Sequence, residues 1–456
     1  MEIRTIMEKQ RKFFASHVTF DTEYRISMLK KLRVTIGKYE EEIHKALKED
    51  LGKDTMEAYM CETGMTLSEI SSQIKNLKKW SRTKYHKTGL ANFPAISKSI
   101  QEPYGVVLIM SPWNYPFMLC MEPLAGAIAA GNCCVVKPSA YSPATSAVIK
   151  KIIAEVFPDE YVTVVEGGRA ENTELLNQRF DYIFFTGGVS VGKLVMEKAS
   201  AHLTPVTLEL GGKSPCLVEK SCNVKLAAKR IVFGKYLNCG QTCVAPDYVL
   251  VDELIKNDLI KELKKQIVKM YGEEPLNNSA YGKMINKKHY LRVMGLIDLQ
   301  KIVHGGKGNG QTLKIEPTIL DQVTAEDAIM QEEIFGPVLP ILTYRSIDEA
   351  ERFISERERP LAFYLFTKDK EIEKRFMTYF SYGGGCVNDT IMHLASTEMG
   401  FGGVGNSGMG SYHGKKSFDT FSHEKSVLKK SNLIDMPMRY QPYKETYLKL
   451  IKKILH

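Results

Sequence analysis

The chain of 456 residues lacks any apolar run long enough to span a bilayer. Its longest apolar runs, residues 105–110 and 124–130, fall far short of the ~20 residues that a membrane-spanning helix needs. Residues 1–10 carry charges of both signs but not the apolar core that a secretory signal requires. These absences predict a cytoplasmic or peripheral protein.

Paired cysteine motifs are also missing. The nine cysteines are an odd number, and no two of them have the C-x-x-C spacing of a zinc ribbon or a redox centre. Irregular spacing of this kind is typical of free thiols in a reducing compartment. We therefore expect neither a disulfide framework nor a metal site.

A basic strip with interleaved aromatic residues is absent as well, and we predict no binding of nucleic acid. The net charge of +9 is spread along the chain. What is present is the composition of a globular protein, with 44% hydrophobic and 25% charged residues. The length predicts two or three domains, because a single core stops growing at ~250–300 residues.

Hydrophobic spacing divides the chain near Gly105. Upstream, apolar residues at helical spacing predict one long helix from Asp21 to Leu51 and a second helix that runs towards Trp80. Downstream, helical stretches alternate with short β-branched runs at residues 106–109, 133–136, 162–165 and 182–185. Continuous apolar strands with helical crossovers predict a doubly wound parallel sheet, since both faces of such a sheet are covered.

The alternation resumes after Pro205 and reaches to about Asn388, which predicts a second α/β domain. Segments 97–102 and the region beyond Ser417 are predicted to be strands that pair away from either core. The predicted fold class is therefore α/β, with two doubly wound parallel-sheet domains and a small β-extension.

A cysteine after a Gly-Gln-Thr turn is the first candidate for chemistry. Attack on a carbonyl needs the thiolate of Cys243, and a thiol with a pKa of about 8.5 is mostly protonated, so a helix N-terminus or a base must assist. Glu209, which begins the run Glu-Leu-Gly-Gly-Lys, can then activate water. The alternative is that Cys243 is a small buried hydrophobe like most cysteines. Its C-x-x-x-C spacing with Cys239 is a poor metal signature.

An asparagine follows the first predicted strand of the sheet. Asn114 lies in the run Ser-Pro-Trp-Asn-Tyr-Pro-Phe, a turn bracketed by prolines. Its amide can donate to a developing oxyanion, a contact worth about 3–4 kcal/mol in enzymes where it has been deleted. An Asx-turn that caps the next helix is the alternative interpretation.

Two further turns contain groups suited to a nucleotide. Thr186 precedes a glycine pair whose backbone N–H groups can approach a phosphate. The run that ends at Lys193 formally matches a P-loop, but Leu194 stands where Ser or Thr must ligate magnesium. The G-x-G-x-x-G fingerprint is absent, and a plain tight turn is the alternative. In the second turn, Glu333 can bind ribose hydroxyls while Phe335 packs on a flat ring, although an ordinary acidic turn would look the same.

Taken together, the motifs resemble those of aldehyde dehydrogenases. The runs W-N-Y-P-F, K-P-S, F-T-G-G-x-x-x-G, E-L-G-G-K, G-Q-x-C, E-E-I-F-G-P and F-G-G-V-G-N-S-G-M-G occur in the order seen in that family. The resemblance extends from about Phe13 to Lys430. The run from Gly408 to Phe418 and the short N-terminus are similar to the class 3 branch, which handles fatty and aromatic aldehydes.

The resemblance implies oxidation of an aldehyde to a carboxylic acid with NAD or NADP. Cys243 would form a thiohemiacetal and then a thioester, while the Asn114 side chain and the Cys243 backbone N–H would hold the oxyanion. Glu209 would activate the hydrolytic water, although either Glu209 or Glu333 can serve as the base. The residues expected to bind the cofactor are Trp113, Lys137, Thr186, Gly187, Gly188, Glu333 and Phe335.

The resemblance also implies the domain limits. Residues 1–96 and 106–208 would form a Rossmann-like cofactor domain, and residues 209–411 a catalytic thiol domain. Segments 97–105 and 412–432 would be bridging strands of a homodimer. The amphipathic tail, residues 433–456, is expected to be a helix docked on the body or on a partner subunit, with weak contact to a membrane surface as the alternative.

Two positions depart from the family's pattern. Ala140 stands where many members have a glutamate that clasps both adenosine ribose hydroxyls, so we expect NADP to be accepted. Gly400 stands where a proline is usual, which makes the turn less constrained and leaves the local pocket shape open. A pocket for an apolar aldehyde is predicted beside the motifs, at Tyr115, Met118, Leu119, Phe233 and Leu237.

Two rival functions stay open at this point. A CoA-acylating or phosphate-releasing relative would pass the thioester to an acceptor other than water, but the presence of Glu209 favours hydrolysis. A catalytically silent binding protein on the same fold is the other rival. The joint presence of Cys243, Asn114, Glu209 and Glu333 argues against it.

Overall fold

Two parallel β-sheets, each covered by helices, form the body of the computed structural model, which describes residues 2–455. The helices are α1 Ile3–Ala15, α2 Thr22–Lys38, α3 Glu40–Leu51, α4 Thr55–Ala58, α5 Gly64–Trp80, α6 Met118–Ala130, α7 Pro143–Val156, α8 Arg169–Leu176, α9 Val189–Ser200, α10 Val224–Tyr236, α11 Lys256–Tyr271, α12 Lys287–Met294, α13 Ala328–Gln331, α14 Ile347–Ser355, α15 Lys370–Tyr379, α16 Lys415–Thr420 and α17 Glu445–Leu455.

The strands are β1 Lys84–His86, β2 Ala95–Pro103, β3 Val106–Met110, β4 Cys133–Lys137, β5 Val162–Val164, β6 Tyr182–Thr186, β7 Val206–Glu209, β8 Pro215–Val218, β9 Tyr248–Asp252, β10 Ile302–His304, β11 Gly308–Asn309, β12 Lys314–Ile315, β13 Thr318–Leu320, β14 Val338–Tyr344, β15 Ala362–Phe366, β16 Gly384–Val387, β17 Gly408–Met409 and β18 Ser422–Lys430.

The N-terminal helical region differs from its prediction at one point. The single helix expected from Asp21 to Leu51 is divided at Tyr39 into α2 and α3. Gly37, which has low helix propensity, lies just before the break, and α3 restarts with acidic residues in its first turn. Helix α3 ends at Gly52, whose left-handed backbone (φ 71°) is typical of a helix C-terminus.

The first sheet has the strand order β17-β7-β6-β3-β4-β5, and all strands except β17 are parallel. Chain order runs outward from β3 in both directions, so the predicted doubly wound sheet is confirmed. The direction of winding changes between β3 and β6. In open α/β sheets, ligands bind in the crevice outside the carboxyl ends of the strands at such a point.

The second sheet has the order β10-β13-β14-β9-β8-β15-β16, and only β10 is antiparallel. It confirms the second parallel-sheet domain. Strand β17 lies inside the range predicted for the catalytic domain, but it belongs to the first sheet. It pairs with β7, with Gly408 opposite Glu209. A two-residue strand leaves no periodicity from which its sheet can be predicted.

The β-extension is a three-stranded antiparallel sheet of order β1-β2-β18. Strands β2 and β18 pair over nine residues each, from Pro103 opposite Ser422 to Ala95 opposite Lys430. Within residues 2–455, β18 has β2 as its one neighbour in the sheet. The segment between the cores and β18 differs from the prediction, because residues 415–420 form helix α16, which packs on α6.

The tail forms helix α17, which contacts the turn at residues 90–92. A cleft of about 340 Å³ between them is lined by Ile451, Ile454 and Leu455 of the tail and by Leu428 of β18. Among residues 2–455, no helix is both long enough and apolar enough to cross a membrane.

A fully buried ion pair joins the N-terminal helices to the loop after β3. The side chains of Lys53 and Glu62 pair with each other, and neither is exposed. Burial raises the pKa of Glu62, and the ammonium of Lys53 opposes this shift. Glu62 also accepts hydrogen bonds from the backbone N–H groups of Phe117 (3.0 Å) and Met118 (2.9 Å), at the start of α6.

Breaking this pair is expected to destabilise the fold. The Glu62→Leu variant leaves the charge of Lys53 buried without its partner, so we expect the free energy of unfolding to fall by about 3–5 kcal/mol in urea denaturation. Glu23→Leu is the matched control, because Glu23 and its partner Lys78 are more than half exposed and should change stability by less than about 1 kcal/mol. Equal stability of the two variants would contradict the role given to the buried pair.

Candidate active site

The loop that carries Cys243 has an unusual backbone. Asn238, Cys239 and Gly240 are consecutive residues in the left-handed region, with φ of 53°, 54° and 72°. Asparagine and glycine tolerate this conformation better than other residues. A side chain at Gly240 would collide with the carbonyl of Gly336, so glycine is required there.

A buried glutamine braces this loop. The side-chain amide of Gln241 donates to the carbonyls of Asn238 and Lys283, both at 3.0 Å, and its oxygen accepts from the N–H of Ile285 at 2.9 Å. Both N–H groups and the side-chain oxygen of Gln241 are therefore hydrogen-bonded, and these bonds fix the turn that leads to Cys243. Cys243 itself is half-buried.

The predicted oxyanion donor lies beside the same loop. Asn114 is 3% exposed, and its side-chain amide donates to the carbonyl of Gln241 at 3.0 Å. A primary amide has two N–H groups, of which this contact needs one. The backbone carbonyl of Asn114 accepts from Lys53 at 3.0 Å and from the side chain of Asn238 at 2.7 Å, so the buried ion pair and the cysteine loop fix its position together.

Glu209 ends strand β7 and is 4% exposed. Neither of its carboxyl oxygens has a hydrogen-bond partner within residues 2–455. Burial raises the pKa of Glu209 well above its usual range. A buried carboxyl without partners costs stability, which indicates a site that takes up water or a substrate atom.

Glu333 lies against the glycine pair of the Glu-Leu-Gly-Gly motif. A side chain at Gly211 would collide with the carboxylate of Glu333, which explains the small residue at that position. Burial raises the pKa of Glu333 to about 8, and the nearby Asp247 adds to the shift. Arg292 fixes the backbone at Glu333, because its guanidinium donates to the carbonyl of Glu333 at 3.2 Å.

A groove with a volume of about 560 Å³ lies at the carboxyl ends of β3 and β6, where the winding changes. It brings together most of the residues predicted from the motifs: Trp113, Asn114, Thr186, Gly187, Gly188, Glu209, Cys243, Glu333 and Phe335. Added atoms at Gly188 would meet nothing within 4 Å, so the entrance to α9 is open to a ligand. The rings of Trp113 and Phe335 meet edge to face, with centroids 5.3 Å apart. These features fit a dinucleotide.

Lys137 is the one predicted cofactor residue that does not line this groove. It is 3% exposed, and its ammonium donates to the carbonyls of Gly167 (2.7 Å) and Pro138 (2.9 Å). Burial lowers its pKa. Its place at the end of β4, beside β3, is nevertheless near the same crevice.

A second cavity, about 160 Å³ in volume, lies on the other side of Cys243. Its walls include every residue predicted for the aldehyde pocket: Tyr115, Met118, Leu119, Phe233 and Leu237. They also include residues that the motifs did not indicate: Met60, Cys61, Met65, Ile391, Met392, Leu394, Phe401 and His413. Of these, Phe401 and His413 belong to motif runs, although neither was predicted to line the pocket. Cys243 and Leu119 line both cavities, so the thiol lies where they meet.

The thiol of Cys243 is not activated by its surroundings alone. Burial, together with the neighbouring carboxyls of Glu333 and Glu209, raises its pKa to about 12. Cys243 lies in a turn closed by the bond from the N–H of Ala245 to the carbonyl of Thr242, and the next α-helix begins only at residue 256. Cys243 therefore does not itself begin a helix, and a base is expected to remove the proton.

Comparisons with known proteins identify the family of the chain. The sequence model of the aldehyde dehydrogenase family matches residues 1–427. The chain is 51% identical to 4,4'-diaponeurosporen-aldehyde dehydrogenase of Staphylococcus aureus, with 95% of each chain covered. It is 44% identical to the dimeric NADP-preferring aldehyde dehydrogenase of Canis lupus familiaris, covering 97% of this chain and 98% of the relative. A solved substrate-bound state of Staphylococcus aureus AldH superposes with a TM-score of 0.98, at 49% identity and with 100% of both chains covered.

The charge of Glu333 gives a test of this site. The Glu333→Gln variant is expected to have a lower Cys243 pKa, because glutamine cannot carry the negative charge that opposes the thiolate. Since burial raises the pKa of Glu333 to about 8, the effect should grow above that pH. The measurement is the rate of Cys243 alkylation by iodoacetamide against pH, followed by peptide mass spectrometry.

The control for this measurement is Glu332→Gln. Glu332 is the preceding residue in the chain, but its side chain is 54% exposed and pairs with Arg292. Solvent screens its charge, so this variant should alkylate like the wild type. Equal shifts in the two variants would show that the charge acting on Cys243 is not that of Glu333.

Proposed function

We propose that this chain, which belongs to the aldehyde dehydrogenase family and oxidises aldehydes to carboxylic acids with NAD(P), does so through Cys243. The observation that carries the proposal is the position of this thiol, at the meeting point of the groove and the apolar cavity. A base removes the thiol proton, and the thiolate then adds to the carbonyl carbon to form the oxyanion of a thiohemiacetal. The amide of Asn114 and the backbone N–H of Cys243 donate to the resulting oxyanion.

When bound, NAD(P) would supply the acceptor for the hydride that leaves the carbonyl carbon. The residues proposed to hold it are those that line the groove, with Trp113 and Phe335 as flat surfaces and Glu333 as the acceptor for ribose hydroxyls. The glycine pair ahead of α9 lets backbone N–H groups approach the phosphates. Lys137 is proposed to reach the adenosine ribose from the end of β4.

Glu209 is proposed as the base that activates the hydrolytic water. Its two oxygens, which have no hydrogen-bond partner within residues 2–455, line the groove beside Cys243, and the raised pKa makes this carboxylate a stronger base than an exposed one. Water attacks the thioester, its proton passes to Glu209, and the Cys243 sulfur leaves as the acid is released. Glu333, with a pKa of about 8, is the competing base.

The substrate class follows from the second cavity. Its walls are aromatic, aliphatic and methionine side chains, with few polar atoms, so they favour medium- or long-chain aliphatic and aromatic aldehydes. The Staphylococcus aureus relative is named for a diaponeurosporen aldehyde, which supports an apolar substrate.

A homodimer in the cytoplasm is proposed for the assembly. Strand β18 presents a nine-residue edge that a partner sheet can extend, and one relative is named as dimeric.

The limits predicted for the domains stay predictions. For the tail, the contact of α17 with residues 90–92 supports a docked helix. Weak contact of its lysine-rich face with a membrane surface stays a prediction.

Replacing the proposed base should separate the two halves of the reaction. In Glu209→Gln we expect a burst of about one equivalent of reduced nicotinamide with hexanal, followed by a steady rate at least ~100-fold below wild type, because water is no longer activated. In Cys243→Ala we expect neither burst nor turnover. The measurement is stopped-flow absorbance of the reduced cofactor.

Cys386→Ala is the control, because Cys386 is the other cysteine of intermediate exposure and it does not line the groove. It should turn over like the wild type. If Glu333→Gln gave the burst while Glu209→Gln turned over normally, the base would be Glu333 instead.

The residue at position 140 gives a test of cofactor choice. Ala140 is exposed and lies three residues after the end of β4, where a glutamate would repel a 2'-phosphate. We expect kcat/KM with NADP to lie within ~100-fold of the value with NAD. The Ala140→Glu variant should lower the NADP value by about tenfold or more relative to NAD. Discrimination against NADP beyond ~100-fold in the wild type would overturn the expectation.

A further inference from the structure

A third cavity, about 270 Å³ in volume, lies beside the apolar pocket. The two cavities share part of their walls, formed by Met60, Met65, Leu394, Ala395 and His413. Methionine side chains are unbranched and flexible, so a long substrate can displace them. A chain that starts at Cys243 and fills the apolar pocket therefore has a route into the third cavity.

The third cavity has more polar residues in its walls than the second. Its walls include the side chains of Ser68, Glu69, Glu122, Thr397 and His413. Glu69 is fully matched, since it accepts from the N–H of Gly414 at 2.9 Å and from the amide of Gln73 at 2.7 Å. Glu69 therefore has a structural role, and it is Glu122 that needs an explanation.

Glu122 on helix α6 is 1% exposed, and its Oε2 atom has no hydrogen-bond partner within residues 2–455. The nearest ring nitrogen, Nδ1 of His413, lies 3.5 Å from Oε2 without forming a hydrogen bond. Leaving a buried carboxyl unmatched costs stability, and an apolar residue on α6 would avoid that cost. Glu209, proposed above as the base, is also a buried carboxyl without a hydrogen-bond partner within residues 2–455. Both carboxyls line cavities where a ligand can complete their bonding.

The charges of this cavity decide the ligand chemistry. Burial raises the pKa of Glu122 well above its usual range and lowers the pKa of His413 to about 4, so burial disfavours the charged form of both side chains. An uncharged group that both donates and accepts hydrogen bonds fits such walls. A carboxylate would place an anion beside two buried carboxyl groups, which is unfavourable.

We propose that this cavity is a subsite for a hydroxyl group at the far end of an aliphatic aldehyde, with Glu122 as its hydrogen-bond partner. The preferred substrates are then ω-hydroxyaldehydes, whose alkyl chain fills the apolar pocket. This inference rests on the proposed reaction at Cys243. Glu122 takes no part in that reaction and determines specificity only.

The test compares two series of aldehydes, from hexanal to dodecanal and the ω-hydroxyaldehydes of the same lengths. The ratio of kcat/KM between hydroxylated and plain aldehyde should pass through a maximum of about five- to tenfold at one chain length, where the hydroxyl reaches Glu122. In Glu122→Leu this maximum should disappear while plain aldehydes keep their rates. In Glu122→Gln, which still donates and accepts, it should remain.

The outcomes are distinguishable from failure of the proposed reaction. A flat ratio at every chain length in the wild type would overturn the subsite while leaving the dehydrogenase intact. Absence of turnover with both series would overturn the reaction itself. If Glu122→Leu does not fold, Ser68→Ala is the second variant, and the maximum should be reduced in it. A maximum that survives in Glu122→Leu assigns the hydroxyl to another residue and rejects the proposal.

Discussion

The geometry of the catalytic loop depends on one buried ion pair, Lys53 with Glu62. Two charges fully removed from water are stable only when their remaining donors and acceptors are also matched. Here those partners are backbone atoms of the loop after β3, so the pair is satisfied only when the loop adopts the shape that presents Asn114. The carbonyl that Lys53 binds is also bound by Asn238, and the constraint thus reaches the turn before Cys243.

Much of the fold could be predicted because fully buried parallel strands leave a plain signal. Strands β3, β4 and β6 are apolar along their whole length, since helices cover both faces of the sheet. The break at Tyr39 could not be predicted, because apolar spacing continues across it. Only the low helix propensity of Gly37 indicates a break near this position. The order of the second sheet could not be predicted, because periodicity identifies a strand without identifying its neighbour.

The site was predictable where residues follow strand ends. Asn114, Thr186 and Glu209 come after or end β3, β6 and β7, and parallel strands bring such positions to one edge. The far wall of the apolar pocket was not predictable, because Met60, Met65 and Leu394 are ordinary apolar residues distant from every motif. The same holds for Lys53 and Glu62, whose importance comes from complete burial, and burial of a charge has no local signature.

The late position of β17 and α16 in the chain affects how the protein folds during its synthesis. The first sheet receives its edge strand from residues 408–409, and helix α6 is covered by residues 415–420. Asn132, between α6 and β4, also donates to the carbonyl of Phe421 at 2.9 Å. During synthesis, the first sheet therefore stays without its edge strand, and one face of α6 stays uncovered, until residues 408–421 have left the ribosome. Such long-range closure slows folding and lengthens the time for which a nascent chain depends on chaperones.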